Sequence, residues 1–136
     1  VSEYMRVKVR GYHLDQHGHL DHGGYMMFLE EARWSLFESY NSVEFFSQLK
    51  LALTIVNSNI DFHRPCISGD RLEIQTKVTK IGRSSCIVKQ SIYCENDNKL
   101  VAEATNTFVL MDKSTRTAVP IEGKTRDKLE QLTELF

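Results

Sequence analysis

Hydrophobic and polar positions alternate along residues 4–10, with Met5, Val7 and Val9 on one face and Tyr4, Arg6, Lys8 and Arg10 on the other. This period of two predicts a half-buried strand, ended by Gly11. A polar stretch then runs from Tyr12 to Gly24. Beyond it the spacing lengthens: Tyr25, Phe28, Leu29, Ala32 and Leu36 form a helical stripe, widened by Met26, Met27, Trp34, Phe37 and Tyr40, which predicts a long helix wrapped on several sides. Asn41 and Glu44 have the spacing of a capping box and predict a short second helix through Val43, Phe45, Phe46 and Leu49. After residue 50 the texture is that of strands. Residues 51–62 begin with a nearly continuous apolar run, which predicts burial on both faces. Residues 70–80 set Leu72, Ile74, Thr76 and Val78 against Arg71, Glu73, Gln75 and Lys77, and Gly82 marks a hairpin to a strand over 84–95. A strand over 100–111 carries Leu100, Ala102, Ala104, Phe108 and Leu110 on a common face, and a short one follows at Ala118 and Val119. Leu129, Leu132 and Leu135 predict a terminal helix over 125–135.

That order predicts an α+β domain, an antiparallel sheet curled around a long central helix with a short C-terminal helix. One sheet covers only part of such a helix and leaves long edge strands, so a homodimer with a sheet continuous across the subunits is expected. With 136 residues, no linker and no repeat, a single domain over 1–136 is expected. Composition narrows the partners. Lys and Arg number 17 against 18 Asp and Glu, and no basic block supplies a footprint for nucleic acid or an anionic lipid surface. No apolar run approaches the roughly 20 residues of a membrane span. The amino terminus reads as a strand, not a secretory signal. Cys66, Cys86 and Cys94 are odd in number and form no CxxC, as expected for reduced thiols of a cytoplasmic protein.

Chemistry concentrates in the segment from Tyr12 to Tyr25, which holds four of the five histidines. Asp15 stands in a loop ahead of a helix amino terminus, where the amides near His22, Gly23 and Gly24 lack helical partners and suit an oxyanion. A carboxylate there can attack a carbonyl or take a proton from water, and the glycines allow a carbonyl to come close. Tyr25, Met26, Met27 and Phe28 are candidates to line a tunnel for a hydrocarbon chain. The bland readings are a cap, a turn and a core stripe. A metal site built from His13, His17, His19, His22, Asp15 and Asp21 has suitable ligand types, but the spacing lacks HExxH or a carboxylate placed after the HxH of His17 and His19.

The stretch from Val9 to Asp15, then His19, Tyr25 and Phe28-Leu29-Glu30-Glu31-Ala32-Arg33-Trp34, resembles the bacterial long-chain acyl-CoA thioesterases of the FadM type, within the hotdog-fold superfamily (4-hydroxybenzoyl-CoA thioesterase-like). Val56-Asn57, Asn59-Ile60, Arg64-Pro65, Asp70, Thr107-Phe108-Val109 and Lys128-Leu129-Glu130 extend the likeness over nearly the whole chain. The resemblance implies a hotdog fold, homodimers or homotetramers with active sites between subunits, and hydrolysis of long-chain fatty acyl-CoA without a metal or other cofactor. It implies that Asp15 is the catalytic nucleophile or general base, that the amide near His22 contributes to the oxyanion hole, and that His19 orients Asp15 or the water. His22 is a further catalytic candidate, because related short-chain hydrolases place a histidine there. Asp21-His22 stands where the long-chain enzymes commonly have Asn-Asn, and His17-Gly18 makes the loop smaller and more basic than usual. Gly23, Gly24 and Tyr25 are expected to contact substrate. Arg64, Arg83, Ser84 and Ser85 are candidates for the CoA phosphates, with solvated hairpin ends as the alternative. Other functions on this fold are an acyl-thioester hydratase or dehydratase, whose His-Phe-Pro or Asp-x-Asn-Pro signature is absent, and a non-catalytic acyl-CoA binder.

Overall fold

The computed structural model describes residues 2–133. Strand β1 (Ser2–Lys8) leads through a 3-10 turn (Gly11–His13) and a loop into α1 (His22–Ser39) and α2 (Ser42–Gln48). Strands β2 (Leu51–Phe62), β3 (Arg71–Ile81), β4 (Cys86–Cys94), β5 (Lys99–Asp112) and β6 (Ala118–Val119) follow, then α3 (Gly123–Glu130). The sheet is antiparallel in the order β1-β3-β4-β5-β2, with β6 added beside β5. Its curled face wraps α1, as the strand-helix-strands order predicts.

Alternation settles which side chains meet that helix. Leu72, Ile74 and Val78 of β3, Val88, Ile92 and Cys94 of β4, and Ala102, Ala104, Phe108 and Leu110 of β5 are all buried. They fall into two apolar clusters. One holds Tyr25, Phe28, Leu29 and Ala32 of α1 with Leu72, Ile74, Ile92 and Ala104. The other holds Leu36 and Phe37 with Phe46, Val78, Val88, Phe108, Leu129 and Leu132. Between them lies a row of buried polar side chains, one to a strand: Thr76, Gln90 and Asn106.

Three expectations change. Residues 51–62 are not buried on both faces: β2 is the edge of the sheet, half-buried up to Thr54, where Leu51 and Leu53 pack on the second cluster, and mostly exposed beyond, where Ile60 packs on the first cluster and Phe62 meets His22 and Tyr25. Asn41 forms no capping box; it takes a left-handed conformation (φ 55°) that breaks α1 from α2, with no side-chain bond to the new helix. The long helix starts earlier than its apolar stripe, at His22, because Asp21 caps it by accepting from the Gly23 N–H at 2.9 Å. In α3 and after it, Leu129 and Leu132 are buried as the pattern requires, while Leu135 lies outside the described residues.

Candidate active site

The loop ahead of α1 is a small closed structure. Leu14 and Leu20 pair across it, the Asp15 N–H donates to the His19 carbonyl (2.8 Å), and the Gly18 N–H donates to the Asp15 carbonyl (3.1 Å). Gly18 has φ +77°, a conformation that side-chain-bearing residues rarely adopt, so the tight turn requires glycine there. The buried Leu20 pins the loop to the core and its N–H donates to the Cys66 carbonyl, while the Asp21 N–H donates to His13. His13 is a brace: its Nδ1 accepts from the Arg10 N–H (2.9 Å), and its ring meets the edge of Phe28 at 5.0 Å between centroids.

Asp15 stands exposed at the mouth of this loop. Its Oδ1 accepts from the backbone N–H groups of His17 (2.8 Å) and His19 (3.2 Å), and Oδ2 has no partner among the described residues. Those two donors hold its carboxyl below the ordinary value, so it is a carboxylate with one oxygen anchored and one open. His19 reaches Asp15 through its N–H, not through its ring.

At the helix start the structure narrows the set of free amides. Gly23 donates to the Asp21 carboxylate, and Gly24 and Tyr25 donate to the Asp21 carbonyl (2.9 and 3.2 Å). The His22 N–H is left without an acceptor among the described residues, so it is the amide available to an oxyanion. Gly24 serves packing more than access: a Cβ there would lie 2.6 Å from Leu20 Cδ1. The Tyr25 hydroxyl is also committed inward, to the Arg64 carbonyl (3.3 Å) and Cys66 Sγ (3.6 Å), and burial pushes its pKa up. The His22 ring stacks on Phe62 at 4.8 Å, and Tyr25 meets the same Phe62 edge-on at 5.0 Å.

The remaining candidates divide by position. Arg64 lies at the same end of the molecule as the loop and is paired with Asp97, which holds its guanidinium charged. Arg83, Ser84 and Ser85 follow Ile81, at the far end of β3, whose 11 residues separate them from Arg71 by roughly 35 Å. The fold therefore does not bring them to Asp15 within one chain. Among the described residues no three His, Cys, Asp or Glu side chains gather as a metal-ligand set.

Phe62 is a wall of the site that no pattern along the chain singles out. The tunnel, too, is displaced from its expected place. Met26 and Met27 are exposed and Phe28 is core, whereas an apolar cavity of about 360 Å³ opens further along α1, between Trp34 and Phe37, Phe46 of α2 and Leu53 of β2.

An antiparallel sheet curled around one long helix is the hotdog architecture, and similarity to known proteins places the chain among its thioester hydrolases. The chain belongs to the thioesterase-like superfamily, whose family model matches residues 9–129. It is 39% identical over 129 residues to the long-chain acyl-CoA thioesterase FadM of Escherichia coli K12, covering 95% of this chain and 98% of that one. The solved structure of YbaW from Escherichia coli, a probable thioesterase, superposes with a TM-score of 0.90 at 38% identity, covering 96% and 98% of the two chains. The acyl-CoA thioester hydrolase YbgC of Escherichia coli O157:H7 is 28% identical over 111 residues, 79% of this chain and 82% of that one.

Proposed function

We propose that this protein hydrolyses long-chain fatty acyl-CoA to free fatty acid and CoA, with Asp15 as nucleophile. The observation that carries the mechanism is the Asp15 carboxylate, anchored through Oδ1, with Oδ2 open and its basicity lowered. A base works best with a pKa near the working pH, so a carboxylate made less basic is better suited to attack than to proton abstraction. Oδ2 adds to the thioester carbonyl, the His22 N–H receives the developing oxyanion, and the C–S bond breaks to release CoA thiolate. The resulting mixed anhydride is opened by water at the Asp15 carboxyl carbon: the acid leaves with an oxygen from Asp15, the water oxygen stays in the regenerated Asp15 carboxylate, and the proton released passes through the His22 imidazole to the CoA thiolate. His19 is a positioning residue acting through its N–H. The names of FadM and YbgC support an acyl-CoA substrate, and the apolar cavity along α1 supports a long chain.

The working unit in this reading is a homodimer or a homotetramer of a single-domain cytoplasmic protein over residues 1–136 that needs no cofactor. β2 leaves its outer edge open, and Ile55, Val56 and Phe62 are exposed there, as are Met26, Met27 and Trp34 on α1. A second copy pairing along this edge covers them and closes the site over Asp15. Arg64, and Arg83, Ser84 and Ser85 of a neighbouring copy, then meet the CoA phosphates.

Thiol release across acyl chain lengths tests the activity: turnover rising with chain length supports it, and none with any acyl-CoA removes it. A single turnover in ¹⁸O-labelled water separates the two roles of Asp15. An unlabelled first acid product, with the label found in Asp15, supports attack by Asp15 and opening of the anhydride at its carboxyl carbon; label in the acid, with no Asp15 adduct trapped by borohydride, supports a general base.

A further inference from the structure

The polar row across the core ends at the cavity. Gln90 uses all of its side-chain capacity: Nε2 donates to the Leu29 carbonyl (2.8 Å) and to Thr76 Oγ1 (3.0 Å), while Oε1 accepts from Asn106 Nδ2 (3.0 Å) and from Arg33 Nη1 (3.1 Å). Ser58 completes the row by donating to Asn106 Oδ1 at 2.8 Å. A fully satisfied network of this kind fixes the side chain it holds, here Arg33 on α1.

Arg33 is half-buried and lines the cavity beside Trp34. A guanidinium has five N–H donors, and the bond to Gln90 is its one acceptor among the described residues. Glu30, the nearest acid, also borders the cavity but forms no ion pair with it within 4 Å. Burial pushes the guanidinium below its ordinary pKa, with Glu30 offsetting only part of that effect. The position matters as well. Residue 33 lies 11 residues beyond the helix start at His22, about 16 Å along the axis. β2 runs back alongside, so that Phe62 sits by His22 and Leu53 sits by the deep part of the cavity. A chain running from Asp15 along this face passes Glu30 and Arg33 before reaching Phe37, Phe46 and Leu53.

We propose that the cavity holds the tail of the acyl group and that Arg33, oriented by Gln90, selects tails carrying an oxygen function near mid-chain, a hydroxyl or a keto group, over saturated tails of equal length. This deepens, and rests on, the thioesterase reading. A saturated tail strips water from the guanidinium and offers nothing in return; an oxygenated one supplies the missing acceptor. Hydrogen bonds to charged groups are strong enough to make this discrimination about tenfold or more.

The test compares stearoyl-CoA with 10- and 12-hydroxystearoyl-CoA, by thiol release and by calorimetric binding of their non-hydrolysable thioether analogues. The wild type is expected to favour a hydroxylated chain at least tenfold in kcat/KM and in affinity. Arg33→Met is expected to bring both ratios near one, and Arg33→Lys to keep part of them. Leu53→Trp, which fills the cavity, is expected to weaken both long analogues at least tenfold. Equal handling of the three chains by the wild type overturns the proposal, as do an unchanged ratio in Arg33→Met and undiminished binding in Leu53→Trp. If no acyl-CoA is turned over, the thioesterase reading fails; an Arg33-dependent preference among the bound analogues still upholds the tail selection, and absence of binding ends it.

Discussion

At its amino-terminal end α1 meets a loop held by backbone hydrogen bonds; two turns further on it meets a cavity held only by side-chain packing. In the loop, Leu14 pairs with Leu20, the Asp15 carboxylate gathers two N–H groups, and His17 and His19 are exposed. Around the cavity the contacts are those of Phe37, Phe46, Leu53 and Phe108, residues from four different elements that no local motif links. The loop can therefore change its chemistry without touching the fold, whereas the cavity cannot change shape without touching the core. Tight backbone bonding suits a reacting group that must not move, and apolar packing suits a chain of methylenes that needs no particular orientation.

The strongest way to break this contrast is at Asp15. Asp15→Asn keeps an oxygen for the His17 and His19 amides but loses the nucleophile, so thiol release should fall about a thousandfold. Its urea midpoint should stay close to that of the wild type, since the residue is exposed and Asn keeps an acceptor for both amides. Phe46→Ala should do the reverse at the cavity. Phe46 is 1% exposed and packs into the second cluster, so its truncation should cost about 3–5 kcal/mol, read as a lower urea midpoint at an unchanged slope. Gly24→Ala lies where the two regions meet. Its new methyl group would press on the buried Leu20 side chain, with an expected cost of about 1–3 kcal/mol in the same experiment and a fall in kcat as the loop shifts. A loss of stability without a fall in kcat would show that Leu20 yields without moving Asp15. The smallest effect is in pH. Asp15 must be ionised to attack, and its two amide donors lower its pKa, so the first-turnover release of thiol, which precedes the step that uses His22, should hold as pH falls through the ordinary carboxylate range and decline only below it. An acid limb above that range would mean that a different group limits the reaction.

Much of this architecture was legible beforehand. The alternations of β1, β3 and β5 and the stripe from Tyr25 to Leu36 identified the elements and their inward faces, since burial on one side imposes its period directly. Asp15 stood out because an acid before a glycine-rich helix start is a local arrangement. β2 misled for a physical reason: an apolar run looks the same whether a layer of the same chain covers it or an open edge displays it. Gln90 and Asn106 were hidden in the same way, as polar residues at inward positions whose partners, Thr76, Arg33, the Leu29 carbonyl and Ser58, come from three other elements.

The sequence by itself determined the strand and helix periods, the loop with its carboxylate, and the neutral, unstapled composition of an ordinary domain, because each depends on residues within a few positions of one another. Only the tertiary structure decided which amide at the helix start stays free, that Tyr25 turns its hydroxyl inward, and that Arg83, Ser84 and Ser85 lie a strand's length from Asp15. It also placed an arginine, held by a buried glutamine, beside an apolar cavity. These are relations between segments that meet only when the sheet closes around the helix, and no pattern along the chain encodes them.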